Sequence, residues 1–240
     1  MATFGWDMRG GRAQYQNSIL DVLNPENVIC HDIFDNEARN HHHVHDNAYS
    51  YEMAYRGRES VEDEVDEVGV FLTRLERDGR TVIIAEGNHD IALEKYAREG
   101  RYRNDGTNVR FGLKLEDAYL DYVERRSNAL DLGHPVPRFS MLEYAIRLKF
   151  DLRGVEWCHD GYSRLIDGIE VGNHGFRGAN GAKGTVAGFE RVGRKISIGD
   201  KHSPEIMDGV YVAGAMNLRH GYNKGASGWA VTHTIQYADG

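Results

Sequence analysis

Thr81-Val82-Ile83-Ile84-Ala85-Glu86-Gly87-Asn88-His89-Asp90 is the stretch that decides the fold class. Its first five residues form a short apolar run rich in β-branched side chains. Such a run fits a strand buried on both faces, as in a parallel sheet covered by helices. It ends in polar residues, and ligands of α/β folds bind at the carboxyl ends of strands. The same order recurs elsewhere in the chain. An apolar run at 28–30 leads into His31-Asp32-Ile33-Phe34-Asp35, and a third at 195–198 leads into Gly199-Asp200-Lys201-His202. Metal-type side chains after several strands of one chain weigh more than any single short motif.

Helical spacing surrounds these runs. Residues 14–23 carry Tyr15, Ile19, Val22 and Leu23 on one face, and Asn24-Pro25 stops the helix. Residues 60–77 repeat Val61, Val65, Val68, Leu72 and Leu75 at helical spacing, with acidic residues in the first turns, where the dipole favours them. A further helix follows at 91–98. Residues 113–150 read as mostly helical, broken at Gly133-His134-Pro135, and give a helical insertion or cap at 111–150 within a single domain of 1–240. After Gly154 the pattern changes to short strands at 155–158, 165–171, 195–198, 210–213 and 229–237, with glycine dense from 172 to 199. The expected fold class is α/β, with layered mixed sheets flanked by helices.

The chain has 240 residues, 40% of them hydrophobic, and a net charge of −8. That suits one α/β domain with a real core. The negative charge argues against histone-like DNA binding, in which bulk basicity supplies the affinity. It leaves a nuclease open, because bound divalent cations invert the local field of an acidic site. Cys30 and Cys158 lie far apart without CxxC spacing, and read as small core residues rather than a zinc or disulfide framework. No run approaches the roughly 18 apolar residues of a membrane span, and no signal peptide is visible at Met1. The expected compartment is the cytoplasm, that of the host if the gene belongs to a phage. The sequence leaves a homo-oligomer open.

Gly87-Asn88-His89-Asp90 has a chemical logic. Asn88 offers a neutral oxygen to a divalent metal, His89 a proton or hydrogen bond to a phosphate oxygen, and Asp90 a carboxylate to orient that imidazole and raise its pKa. The His41-His42-His43-x-His45 cluster reads either as a metal- or phosphate-binding loop or as a solvated polar loop. The acidic run 62–67 reads as a solvated helix face. His31 reads as lying beside the site, while His134, His159, His220 and His233 read as structural or surface histidines.

In order along the chain, His31 to Asp35, Gly87 to Asp90, Asn173-His174-Gly175 and Gly199 to His202 resemble the motifs of the calcineurin-like metallophosphoesterases, including their nuclease branch. The tail through Ser203-Pro204, Asp208-Gly209-Val210-Tyr211 and Ser227-Gly228-Trp229 is similar to the phosphoesterase domain of tailed-phage DNA-transfer proteins of the T5 type, which Asn40-His41-His42 also fits. The resemblance implies a calcineurin-like fold, two divalent ions (Mn²⁺, with Mg²⁺ as the alternative) and a nucleic-acid phosphodiester as substrate. It implies that Asp32 bridges both ions, that Asn88 and His174 bind the second, that His202 binds the first, and that His89 assists the leaving oxygen with Asp90 behind it. Arg177 and Lys183, and more weakly His41 and His42, become phosphate contacts.

Two departures stand against the pattern. The family's early Asp-x-His is missing: Asp7-Met8-Arg9 is the sole candidate, and Arg9 cannot ligate a metal. The family's Gly-His-x-His reads Gly199-Asp200-Lys201-His202, so Asp200 enters as a hard oxygen donor that favours Mn²⁺ or Mg²⁺. The second site can be completed from Asp32, Asn88, His174 and Asp200, whereas the first has Asp32 and His202, with Asp7 or one of His41 to His45 to complete it. The rival readings are a phosphomonoesterase or protein phosphatase, and a degenerate, non-catalytic metal-binding or assembly protein.

Overall fold

The computed structural model describes residues 19–76, 79–216 and 225–237. Its first half alternates helices with parallel strands. The helices are α1 (Ile19–Leu23), α2 (Asn47–Tyr55), α3 (Val61–Glu76), α4 (Ala92–Arg98), α5 (Val109–Asp131) and α6 (Met141–Arg147). The strands are β1 (Asn27–His31), β2 (Thr81–Ala85) and β3 (Val155–Cys158). They pair in the order β1-β2-β3, all parallel, with Ile29 opposite Ile83 and Ile84 opposite Trp157. Parallel neighbours need crossovers; α2 and α3 supply the first, and α4 to α6 the second. Val82, Ile83, Ile84 and Ala85 are fully buried, as expected for the central strand of a covered sheet. On α3, Val61, Val65, Val68, Leu72 and Leu75 form the predicted buried stripe. Phe111 and Leu115 of α5 and Met141, Leu142, Ala145 and Ile146 of α6 join the same core as Val82 and Ile84. The helical stretch between β2 and β3 therefore shares the main core.

The second half forms a mixed sheet. It holds β4 (Leu165–Ile166), β5 (Ile169–Glu170), β6 (Ile196–Ile198), β7 (Glu205–Met207) and β8 (Val210–Val212), in the order β4-β5-β6-β8-β7. A short helix, α7 (Val186–Glu190), places Phe189 against Ile196, Ile198, Val210 and Val212 in a second apolar cluster. The chain is thus mixed α/β, with two sheets flanked by helices.

Four expectations change. The single strand expected at 165–171 is a hairpin, because Asp167 and Gly168 both take positive φ (47° and 81°). Asp-Gly with two positive φ values is the tight turn that matches strand twist. Asp208-Gly209 (φ 42° and 88°) makes the same turn between β7 and β8, and so reveals β7, which the apolar pattern did not predict. The strand expected at 229–237 reduces to one bridge, Ala215 with Val231. Helix α2 was not expected: it buries Met53 and has no apolar stripe, and it starts where Asp46 accepts the backbone N–H groups of Ala48 and Tyr49. Of the helix expected at 14–23, residues 14–18 lie outside the described residues.

Candidate metal centre

The parallel register places His31 opposite Ala85, so the segments leaving β1 and β2 run side by side. Asp32 is the first residue past β1 and holds a left-handed backbone (φ 54°). Strained backbone of this kind concentrates at functional sites. Its Oδ1 accepts the His89 N–H at 2.9 Å. A Cβ on Gly87 would overlap that same carboxylate, which explains the glycine. The second sheet closes on this corner. The N–H groups of Gly199 and Asp200, past β6, both donate to the His174 carbonyl at 2.8 and 3.1 Å. A Cβ on Gly199 would press on the His31 side chain.

The result brings donors from four segments together. His174 Nε2 lies 3.7 Å from Asp32 Oδ2 and 3.8 Å from Asp200 Oδ1. The His31 ring centroid is 5.6 Å from that of His174. Burial, reinforced by the charges of His31, His89, His202 and Lys201, drives the His174 pKa well below its usual value, so the ring is neutral. A neutral imidazole is the form that binds a metal. Burial lowers His31 to about 4. Asp32 is pushed up to about 6 by burial, against the opposing pull of His89 and the N–H groups of His89 and Asp90. Asn88 Oδ1 and His174 Nδ1 are buried without a hydrogen-bond partner, a rare condition that asks for a ligand. Even so, among the described residues no group of three or more His, Cys, Asp or Glu side chains forms a preassembled metal site.

The expected orienting role of Asp90 at the His89 ring is corrected, although its charge does raise the His89 pKa as a lesser cause. His89 Nδ1 lies 2.7 Å from Asp35 Oδ1. That hydrogen bond, more than any other cause, raises the His89 pKa to about 9. Asp90 is buried and spans two backbones, accepting the N–H of Phe34 at 3.0 Å and of Gly87 at 2.8 Å. It holds the loop after β1 against the loop after β2. Asp35, within the His31-to-Asp35 motif, reaches His89 by contact across the two strand ends rather than by adjacency in the chain.

The other expected contacts are spread out. His202 has a left-handed backbone (φ 58°) and sets its ring edge-on to Trp229, 4.6 Å between centroids. Arg177 pairs with Asp160 at 2.5 Å, just past β3, rather than standing open for phosphate. Lys183 is exposed and pairs by backbone with Arg177. His42 is exposed, and its N–H is capped by Asn40. His41 opens a 3-10 turn over His41–His43, and its side chain is outside the described set. The expectations for Asp7 and His220 also fall outside the described residues. Glu64 corrects the reading of 62–67 as a solvated helix face: from α3 it accepts the N–H groups of Glu37 and Ala38 and so fixes the loop that carries Asp35. One group of the opening stretch has a role that the sequence did not show. Glu86 accepts the Asp160 N–H at 3.0 Å and joins the ends of β2 and β3.

A cleft of about 1380 Å³ reaches this corner. Asp32, His89, His174 and His202 line it beside apolar residues that include Phe71, Ile166 and Val171. Among the described residues, no helix is long and apolar enough to cross a membrane.

No family model matches the chain. No solved structure matches it. Over 229 residues, 92% of its length, the chain is 33% identical to Protein A1 of Escherichia phage T5. The chain spans 39% of the length of that phage relative, whose name states no activity.

Proposed function

We propose that the chain is a metal-dependent phosphodiesterase of calcineurin-like fold that cleaves nucleic acid. The observation that carries this reading is His174 standing within 4 Å of both Asp32 and Asp200, with the orphaned Asn88 oxygen on the neighbouring loop. The donor types fit a hard divalent ion such as Mn²⁺ or Mg²⁺. Asp32, Asn88, His174 and Asp200 would hold one ion. Asp32 and His202, completed by Asp7 or a histidine of the 41–45 cluster, would hold a second, weaker one. A bound ion neutralises phosphate charge and lowers the pKa of water. The protein's own contribution is the His89–Asp35 pair. With its pKa near 9, His89 is protonated at neutral pH and can donate to the departing oxygen while Asp35 fixes the ring. Nucleic acid as substrate rests on the resemblance to the phage branch; the similarity to a phage protein bears on that branch and names no substrate.

Hydrolysis of bis(4-nitrophenyl) phosphate against the corresponding monoester, in Mn²⁺, tests this. The expected result is diester cleavage that requires Mn²⁺ and vanishes in Asp32→Ala. Cleavage of the monoester alone would favour a phosphatase. A degenerate, non-catalytic metal-binding or assembly protein is the second reading, favoured by the missing Asp-x-His, for which Asp7-Met8-Arg9 is the sole candidate. Mn²⁺ binding without cleavage of either ester would establish it.

A further inference from the structure

Lys201 follows Asp200 directly, and its ammonium nitrogen is 2.6 Å from Asp200 Oδ2. Both side chains are mostly buried, at 25% and 21% exposure. The other oxygen of the same carboxylate is the one that lies 3.8 Å from His174 Nε2. Asp200 therefore points one oxygen at a fixed ammonium and the other at the imidazole shared with Asp32. Its backbone is tied to the His174 carbonyl, which limits how far the carboxylate can shift toward an incoming ion. Two cations a few ångströms apart repel strongly at the dielectric of a protein interior.

We propose that Lys201 is a built-in counter-ion of the centre: it holds Asp200 by Oδ2, and its charge opposes a divalent ion on the Oδ1 side, toward His174. It is a positioning residue, and it weakens divalent binding. The inference rests on the metal-centre reading above.

Calorimetric Mn²⁺ titration of the full chain tests it. Lys201→Met is expected to keep the parent stoichiometry and to lower Kd about tenfold or more, the order of effect of removing a like charge beside a half-buried ion. Lys201→Gln, which retains a donor for Asp200 without the charge, is expected to tighten binding too, and decides the matter should the Met variant not fold. Lys201→Arg is expected to bind Mn²⁺ no more tightly than the parent. A purely structural Lys201 predicts the opposite, because an unanchored Asp200 would be a poorer ligand. Unchanged or weaker Mn²⁺ affinity in both neutral variants, with the parent binding normally, overturns this inference alone. Absence of binding in the parent and every variant overturns it together with the metal centre.

Discussion

Asp35 Oδ1 and His89 Nδ1 are 2.7 Å apart, joining the loop after β1 to the loop after β2 across 54 positions of sequence. The pair fixes the orientation and raises the pKa of the imidazole proposed as proton donor. The pKa of His89 is raised above its ordinary 6.5 to about 9. The stabilisation from this pair is therefore fully present below pH 6.5 and is lost as the pH rises through 9. In Asp35→Asn the His89 midpoint should fall toward 6.5, as read by NMR titration of the ring. The basic limb of the rate profile should move down with it. An unmoved midpoint would show that Asp35 does not set the charge of His89.

His89→Ala should keep Mn²⁺ binding and lose about 10²–10⁴-fold in diester turnover, the usual worth of a positioned proton donor. The loss should shrink for esters with good leaving groups, which need little protonation. Equal losses across a leaving-group series would remove the proton-donor role.

Asp90→Asn should act on stability before chemistry. The carboxylate accepts two backbone N–H groups, one per oxygen, and an amide offers one oxygen. Leaving one buried N–H unpaired costs about 1–3 kcal/mol. Urea denaturation should register that loss, whereas the His89 midpoint should move far less than in Asp35→Asn. A larger shift from Asp90→Asn would restore the role expected from the sequence.

Gly87→Ala should displace the Asp32 carboxylate, since the new Cβ would occupy its space. Overpacking of this kind costs about 1–3 kcal/mol. Mn²⁺ affinity should fall together with the thermal midpoint. Parent-like affinity in a folded Gly87→Ala variant would mean that Asp32 is free to ligate from another position.

Glu64 offers a pH test away from the centre. Burial raises its pKa from the ordinary 4.5 to about 7. Its protonated form therefore favours the fold below pH 4.5, and that contribution is lost as the pH rises through 7. Glu64→Gln should flatten part of the decline in urea midpoint between those values. An unaltered slope would assign the pH dependence to other buried carboxyls.

The strand runs at 28–30, 81–85 and 155–158 and the long helix α3 were legible because burial on both faces, or on one stripe, writes itself directly into apolar spacing. The strand ends that lead into Asp32, Asn88 and Asp200 were legible for the same reason, whereas His174 entered through the resemblance alone. Helix α2 was hidden because nothing but Met53 in it is buried, so the local N-cap of Asp46 rather than an apolar stripe marks it. The hairpin at Asp167-Gly168 was present as a turn signal but lay inside an apolar run that read as one strand. The exchange of Asp90 for Asp35 has a different cause: contact across parallel strand ends cannot be seen from distance along the chain. The pairing of Lys201 with Asp200 likewise emerges only when the fold turns both side chains inward.

The most direct test of the central claim is anomalous scattering from crystals of this chain soaked in Mn²⁺. The account predicts a strong peak ligated by Asp32, Asn88, His174 and Asp200, and a weaker one or none at His202. Absence of any peak at the first four residues, or Mn²⁺ bound elsewhere with those side chains unliganded, would contradict it.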